Sequence, residues 1–304
     1  MKTLRPTSLA FAAALCAFTM AASPAARAAP ATAFTFSTGS PDGKLASGSR
    51  PSNAGKLEIE SADDFVLASQ TSISSASFTG LLTAGAAPAT IKSIVLEIYR
   101  VFPLDSNDPA SGEVPTRVNS PSDVAFKSRS SGASELTFAT TVLNASFTAS
   151  NSVLNGINPK PNQTTGGEGA VTGQEVRFDI TLSSAFDLPA GHYFFIPQVE
   201  VSGGEFLWLS ASKPISGGTG PFLPDLQSWI RNENLAPDWL RLGTDITAQG
   251  PFNASFSLAG SVALVPEPAS YGLMLLGLVA VGAAARRRAH LTGHFADKST
   301  FSKC

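Results

Sequence analysis

The chain has 304 residues, of which 43% are hydrophobic and 14% charged, and its formal net charge is −2. Residues 30–264 carry 13 Lys or Arg against 21 Asp or Glu, a scattered net charge of minus eight. This balance argues against nucleic-acid binding, whose electrostatic component needs a basic patch. The same segment has no cysteine, since Cys16 and Cys304 lie outside it, which excludes a disulfide, a cysteine nucleophile and a cysteine-based metal site there.

The N-terminus has the three parts of a secretory signal peptide. Lys2 and Arg5 supply the positive start, residues 9–22 the apolar middle, and Ala26–Ala28 a small-residue cleavage site. The apolar run is shorter than the roughly 20 residues that span a bilayer. We therefore predict that residues 1–28 are a signal peptide read by the Sec translocation machinery. The alternative is a retained N-terminal membrane anchor.

Residues 29–264 are predicted to form one exported, all-β domain. Apolar and polar residues alternate over Glu175–Leu182, the period of a strand with one solvent-facing side, and Ile94–Val101 is similar. Further predicted strands are Asp64–Leu67, Ser72–Leu81, Glu135–Val142, Tyr193–Val201, Phe206–Ser210 and Ala254–Leu264. Because polar turn clusters separate these runs, we predict an antiparallel, jelly-roll-like β-sandwich.

Two short stretches of this domain have a helical signal. Pro224–Arg231 and Pro237–Arg241 each begin with Pro followed by Asp, which is typical of a helix N-terminus. We predict short helical turns at both places.

Residue types that carry catalysis are scarce in the domain. His192 is its single histidine, no Gly-x-Ser-x-Gly elbow is present, and a zinc site would lack its usual ligands. His192 is predicted to be a packed or half-exposed strand residue. Asp63 and Asp64 are adjacent, so on a strand they face opposite sides, and a structural pair is favoured over an acid/base pair. Asp105–Asp108 resembles an oxygen-rich calcium loop but lacks its Gly and distal Glu, which favours an Asx-type turn. We predict no cofactor and no metal.

Tryptophans are the residues through which a sugar-binding module would act, because rings serve as stacking platforms. Trp208 lies in an apolar run and is predicted to be in the core. Trp229 and Trp239 lie beside many planar polar groups and are candidate glycan contacts. The alternative, that they plug the end of the sandwich, is favoured because tryptophans are on average highly buried.

The C-terminus contains three signals in a fixed order. Residues 265–268 read Val-Pro-Glu-Pro, and the two prolines keep this stretch extended and out of any helix. Residues 269–285 are uncharged; as a helix they would be about 26 Å long, just short of the ~30 Å hydrocarbon core of a bilayer. Arg286, Arg287 and Arg288 follow at once, and basic residues flanking a span favour the cytoplasmic side. We predict a transmembrane helix at 269–285 with the N-terminal domain outside; the alternative is a buried core helix.

This order resembles the PEP-CTERM sorting signal of Gram-negative bacteria. The resemblance covers residues 265–288 and implies recognition by an exosortase, a membrane protease-transpeptidase, at Pro266, Glu267 and Pro268. It also implies a transient inner-membrane anchor, followed by release to the cell surface or the exopolysaccharide matrix. Such tails usually end at the basic cluster, whereas residues 289–304 continue as a predicted cytoplasmic tail. This extension is either dispensable or a read-through.

Three segments of the domain resemble an extracellular module that recurs in bacterial PEP-CTERM proteins and has no assigned activity. They are Ile98–Pro103, Val118–Asp123 and Ser228–Asn234. The leading hypothesis is therefore a non-catalytic surface or matrix protein. The alternatives are a carbohydrate-binding module acting on exopolysaccharide and an acidic-residue glycosidase.

Overall fold

The computed structural model of the protein describes residues 32–53, 55–83, 85–157, 160, 163–215, 225–263, 272, 275–283 and 286. The predicted signal peptide, residues 1–28, lies outside the described residues. Residues Ala31–Val265 form one compact unit. The strands described below all belong to this unit.

Strands make up most of this unit. In the described part of the chain they are β1 Thr32–Ser37, β2 Pro41–Gly48, β3 Ile59–Leu67, β4 Thr71–Thr83, β5 Ile91–Arg100, β6 Lys127–Ser130, β7 Leu136–Ala149, β8 Asn151–Val153, β9 Val171–Leu188, β10 Gly191–Val201, β11 Glu205–Ala211, β12 Trp229–Asn232, β13 Leu240–Arg241 and β14 Phe256–Val262. A 3₁₀ turn at Pro88–Thr90 precedes β5, and one π-helical turn at Leu242–Ile246 follows β13. The prediction of a mostly β domain is confirmed.

The strands form two sheets. The larger has eight strands in the order β1-β14-β4-β11-β2-β8, with β9 added beside β4 and β7 beside β9. The smaller has six, in the order β13-β12-β3-β10-β5-β6. Neighbouring strands are antiparallel except β2 and β8, which are parallel. Each predicted strand lies within one of these strands or shares most of its own residues with one.

The two sheets pack face to face around an aromatic core. Alternation along β9 buries Val176, Phe178 and Ile180 on one side of that strand, as the sequence pattern predicts. Phe178 stacks on Phe78 of β4, with ring centroids 4.8 Å apart. Phe195 of the smaller sheet meets Trp208 of the larger one edge-on at 6.0 Å. The arrangement is sandwich-like, and Trp208 is in its core, 1% exposed.

The outer side of the smaller sheet is covered rather than open to solvent. Residues 101–126, here called the covering segment, lie against it, and Val101 and Ala125 pack beside Tyr99, Trp229 and Trp239. The helical turns predicted at Pro224–Arg231 and Pro237–Arg241 are wrong over the described residues, 225–231 and 237–241. Trp229 lies in β12, where it pairs with Ala62 of β3, and β13 pairs with β12. Pairing with a distant strand therefore outweighs the local Pro-Asp signal.

Candidate functional site

The predicted sorting residues fall mostly outside the described part of the chain. Pro266, Glu267, Pro268, Arg287 and Arg288 are not described, whereas residues 275–283 and Arg286 are helical and exposed. Among the described residues, no helix reaches the length and apolar character needed to cross a membrane. The predicted span at 269–285 lies partly outside them.

His192 is the nearest approach to an acid/base group in the domain. It lies near the start of β10, and its Nε2 is 2.5 Å from Oδ2 of Asp64 on the neighbouring β3. The side chain of His192 is 12% exposed and that of Asp64 1%. Oδ1 of Asp64 accepts the backbone N–H of Leu226 at 3.0 Å. Both groups are engaged by neighbours, and His192 is the packed strand residue that the sequence predicts.

Asp63 lies on the opposite face of β3 from Asp64, between the two sheets. Its carboxylate accepts hydrogen bonds from Oγ of Ser228 at 2.8 Å and from the N–H of Ala254 at 2.9 Å. Burial raises the pKa of Asp63 well above its usual range, and the charge of Asp64 adds to this rise. Through these two hydrogen bonds the carboxylate holds the segments that precede β12 and β14 against β3. This supports the structural interpretation of the Asp63–Asp64 pair.

A buried polar cluster that sequence reasoning missed lies under the covering segment. It consists of Glu60, Tyr99 and Arg231. Glu60 accepts the Tyr99 hydroxyl at 2.7 Å and, through its other oxygen, the Arg231 guanidinium. Arg231 also donates to the Tyr99 oxygen at 2.9 Å and stacks 4.3 Å above the ring of Trp239. The cluster joins β3, β5 and β12 to the loop before β13.

Two further carboxylates flank this polar cluster. Burial and the charge of Glu60 raise the pKa of Glu97 on β5 to about 8. Burial likewise raises the pKa of Glu58, whose Oε1 accepts the Gln198 amide at 2.8 Å. Because both oxygens of Glu60 are already bonded to Tyr99 and Arg231, these contacts favour a structural role over a general acid/base pair. The signal that could have revealed the cluster is weak, since Glu60, Tyr99 and Arg231 are far apart in sequence.

The Asp105–Asp108 loop has its own internal partner. Asp105 adopts a left-handed backbone conformation with φ of 51°, and its two carboxylate oxygens pair with the guanidinium of Arg100. Within the described ranges, no group of three or more His, Cys, Asp or Glu side chains is arranged to hold a metal ion.

The two candidate glycan contacts are buried. Trp229 is 2% exposed and Trp239 1%, and both belong to the apolar cluster under the covering segment. The indole N–H of Trp239 donates to the carbonyl of Ser122 at 3.1 Å. Neither ring presents a face to solvent, so the burial supports the alternative in which these side chains plug the end of the fold.

Comparison with known proteins gives one match. A sequence profile described as the PEP-CTERM protein-sorting motif matches residues 264–288. The chain therefore carries a PEP-CTERM protein-sorting motif at its C-terminus. No curated protein and no solved structure shows significant similarity to the chain. The match covers residues of the tail alone and does not reach the strands of the β-rich domain.

Proposed function

We propose that this protein is a non-catalytic cell-surface or extracellular-matrix protein that an exosortase-type system sorts after export. The observation that carries the proposal is the PEP-CTERM match at residues 264–288. In this proposal the signal peptide at 1–28 directs the chain to the Sec machinery. Residues 269–285 then hold it in the inner membrane with the N-terminus outside, and the arginines at 286–288 remain in the cytoplasm.

The contacts of the domain support a non-catalytic role. Three buried or half-buried side chains could act as an acid or a base: His192, Asp64 and Glu60. Each of them makes a hydrogen bond to a neighbouring group of the fold. A surface protein of this kind depends on a stable core and an accessible outer surface. The described residues of the 29–264 domain include an extensive buried apolar core, which supports this role.

Intact mass spectrometry of the protein from cell envelope and medium tests the sorting step. We expect a species that begins near Ala29 and ends close to Pro266–Pro268. The variant Glu267→Ala should accumulate at a mass that retains residues 269–304, because the protease loses the acidic group of its recognition sequence. Asp297→Ala is the matched control, because it removes an acidic residue from the tail beyond the motif. This variant should be processed like the wild type.

Two outcomes would contradict the proposal. A wild-type mass that still includes Arg286 to Cys304 would mean that the segment is a permanent anchor. Equal processing of Glu267→Ala and Asp297→Ala would mean that cleavage does not depend on the motif.

A further inference from the structure

The outer face of the larger sheet contains a groove. It consists of two adjoining cavities of about 510 Å³ and about 400 Å³. Both are lined by Ser37, Ser77 and Ser257, which belong to β1, β4 and β14. Leu143 of β7 lines the second cavity, where β7 departs from regular pairing with β9. The floor of the groove is thus a sheet face, and β7 contributes at one end.

Hydroxyl groups form two rows across this floor. Strand register places Ser37 opposite Ser257, Ser257 opposite Ser77, and Ser77 opposite Asp179. The second row lies two residues away from the first on each strand. It contains Thr35, Ala259, Ser75 and Thr181. Neighbouring strands are about 4.8 Å apart, so hydroxyls lie at short intervals in both rows, which Asp179 and Ala259 interrupt at one position each. In the first row the Ser257 hydroxyl donates to the Ser37 oxygen at 2.9 Å. Each hydroxyl can both donate and accept a hydrogen bond.

The groove carries little net charge. Arg177 and Asp179 pair with each other at 3.0 Å, and both are about half-exposed on the outer side of β9. Glu175 is the other charged residue that lines the cavities. A surface of this kind attracts neither nucleic acid nor an acidic polymer, because both need cationic partners.

Glu175 is the group that points to a ligand. Its side chain lines the second cavity although the residue is only 9% exposed. Its carboxylate makes no hydrogen bond or ion pair with the described part of the chain, and burial raises its pKa. The carboxylate oxygens stay open to the groove, although most of the side chain is covered. A ligand that brings hydroxyl donors into the groove can therefore reach them, because hydroxyls donate to carboxylates.

We infer that the groove binds an uncharged polysaccharide, with sugar hydroxyls bonded to the serine and threonine rows and to the Glu175 carboxylate. A sugar chain matches the floor because its hydroxyls also both donate and accept. An extended peptide is a poorer match, since its backbone groups pair with sheet edges rather than sheet faces. This inference goes beyond the proposed surface role and does not depend on how the tail is processed.

Retardation in native gels that contain polysaccharide tests the inference. The protein is recovered from cells expressing the full chain and run in hydroxyethylcellulose, dextran, galactomannan and the neutral extracellular polysaccharide of the producing cells. We expect retardation by at least one of them. Glu175→Ala should weaken the apparent association at least about tenfold, since it removes a charge-assisted hydrogen bond. Glu175→Gln, which can still accept from a hydroxyl, should lose less.

A matched pair of substitutions locates the site. Ser257→Phe fills the groove and should abolish retardation, whereas Ser261→Phe, on the same strand but outside both cavities, should not. Glu175→Ala should leave the denaturation midpoint unchanged or higher, because the carboxylate has no partner to lose. The inference is overturned if none of the four polysaccharides retards the wild type, or if Ser257→Phe and Ser261→Phe behave alike. Salt-sensitive binding to cationic chitosan alone would also overturn it, because the ligand would then be held by charge.

Discussion

Glu97 makes the stability of the domain dependent on pH. Its folded-state pKa of about 8 lies above the value of 4.5 expected for the unfolded chain, so the folded protein holds a proton that the unfolded chain releases. Between pH 4.5 and 8, this group therefore lowers the free energy of unfolding as pH rises, by at most about 1.4 kcal/mol per pH unit. Glu97→Gln mimics the protonated form. Its stability advantage over wild type should be smallest near pH 5 and largest near pH 8.

Urea denaturation of both proteins at pH 5, 6.5 and 8 measures this difference. Asp63 and Asp64 also have raised pKa values, but they do not act on Glu97, so their titration cancels in the comparison. The charge of Glu58 contributes to the raised pKa of Glu97, so the measured difference includes the loss of that repulsion. Glu113→Gln, an exposed substitution in the covering segment, controls for the loss of one negative charge. An advantage of Glu97→Gln that shrank with pH would mean that Glu97 is ionised in the folded protein.

Among the elements, the covering segment is held in part by Trp239. This side chain contacts Tyr99 of β5 edge-on at 5.5 Å, lies under Arg231 and donates to Ser122 of the covering segment. Trp239→Ala should lower the free energy of unfolding by about 3–5 kcal/mol, because it opens a cavity and removes the donor. Trp239→Phe should lower the free energy of unfolding less, by roughly 1–3 kcal/mol, mainly because the Ser122 carbonyl loses its donor.

Chemical denaturation followed by circular dichroism measures both changes. Val118→Ala is the control within the covering segment, since Val118 is 68% exposed and its truncation should change stability by less than about 0.5 kcal/mol. A Trp239→Ala cost near that of the control would show that the ring is not packed as described.

The same elements show what the sequence can and cannot predict. Strand β9 was predictable because alternation over Glu175–Leu182 is a local property of the chain, and the core satisfies it by burying every second residue. Strand β12 was not predictable, because Pro and Asp before Trp229 indicate a helical turn. Its strand geometry depends on pairing with Ala62 of β3, which is remote in sequence. Short segments take their conformation from the partner that they meet.

For the whole molecule, the sorting motif could be predicted from the sequence and the groove could not, again because only one of them is a local feature of the chain. The sorting motif is contiguous, since its three signals follow one another within residues 264–288, so the sequence alone was sufficient to recognise it. The groove combines Ser37, Ser77, Thr181 and Ser257 from four strands. The register of the larger sheet brings these residues together, and no local pattern encodes that register.

The β-rich unit should also be thermodynamically independent of the tail. Its apolar clusters are built from residues within 31–265, so its stability depends on burial inside this unit. A chain of residues 29–264 should therefore unfold cooperatively at the same urea midpoint as the full protein. Added reductant should leave that midpoint unchanged, because Cys16 and Cys304 lie outside the fragment. Matched circular dichroism titrations of the two proteins provide the measurement. A midpoint lower for the fragment by more than the difference between replicates would show that residues 265–304 contribute to the stability of the β-rich unit, and not only to its sorting.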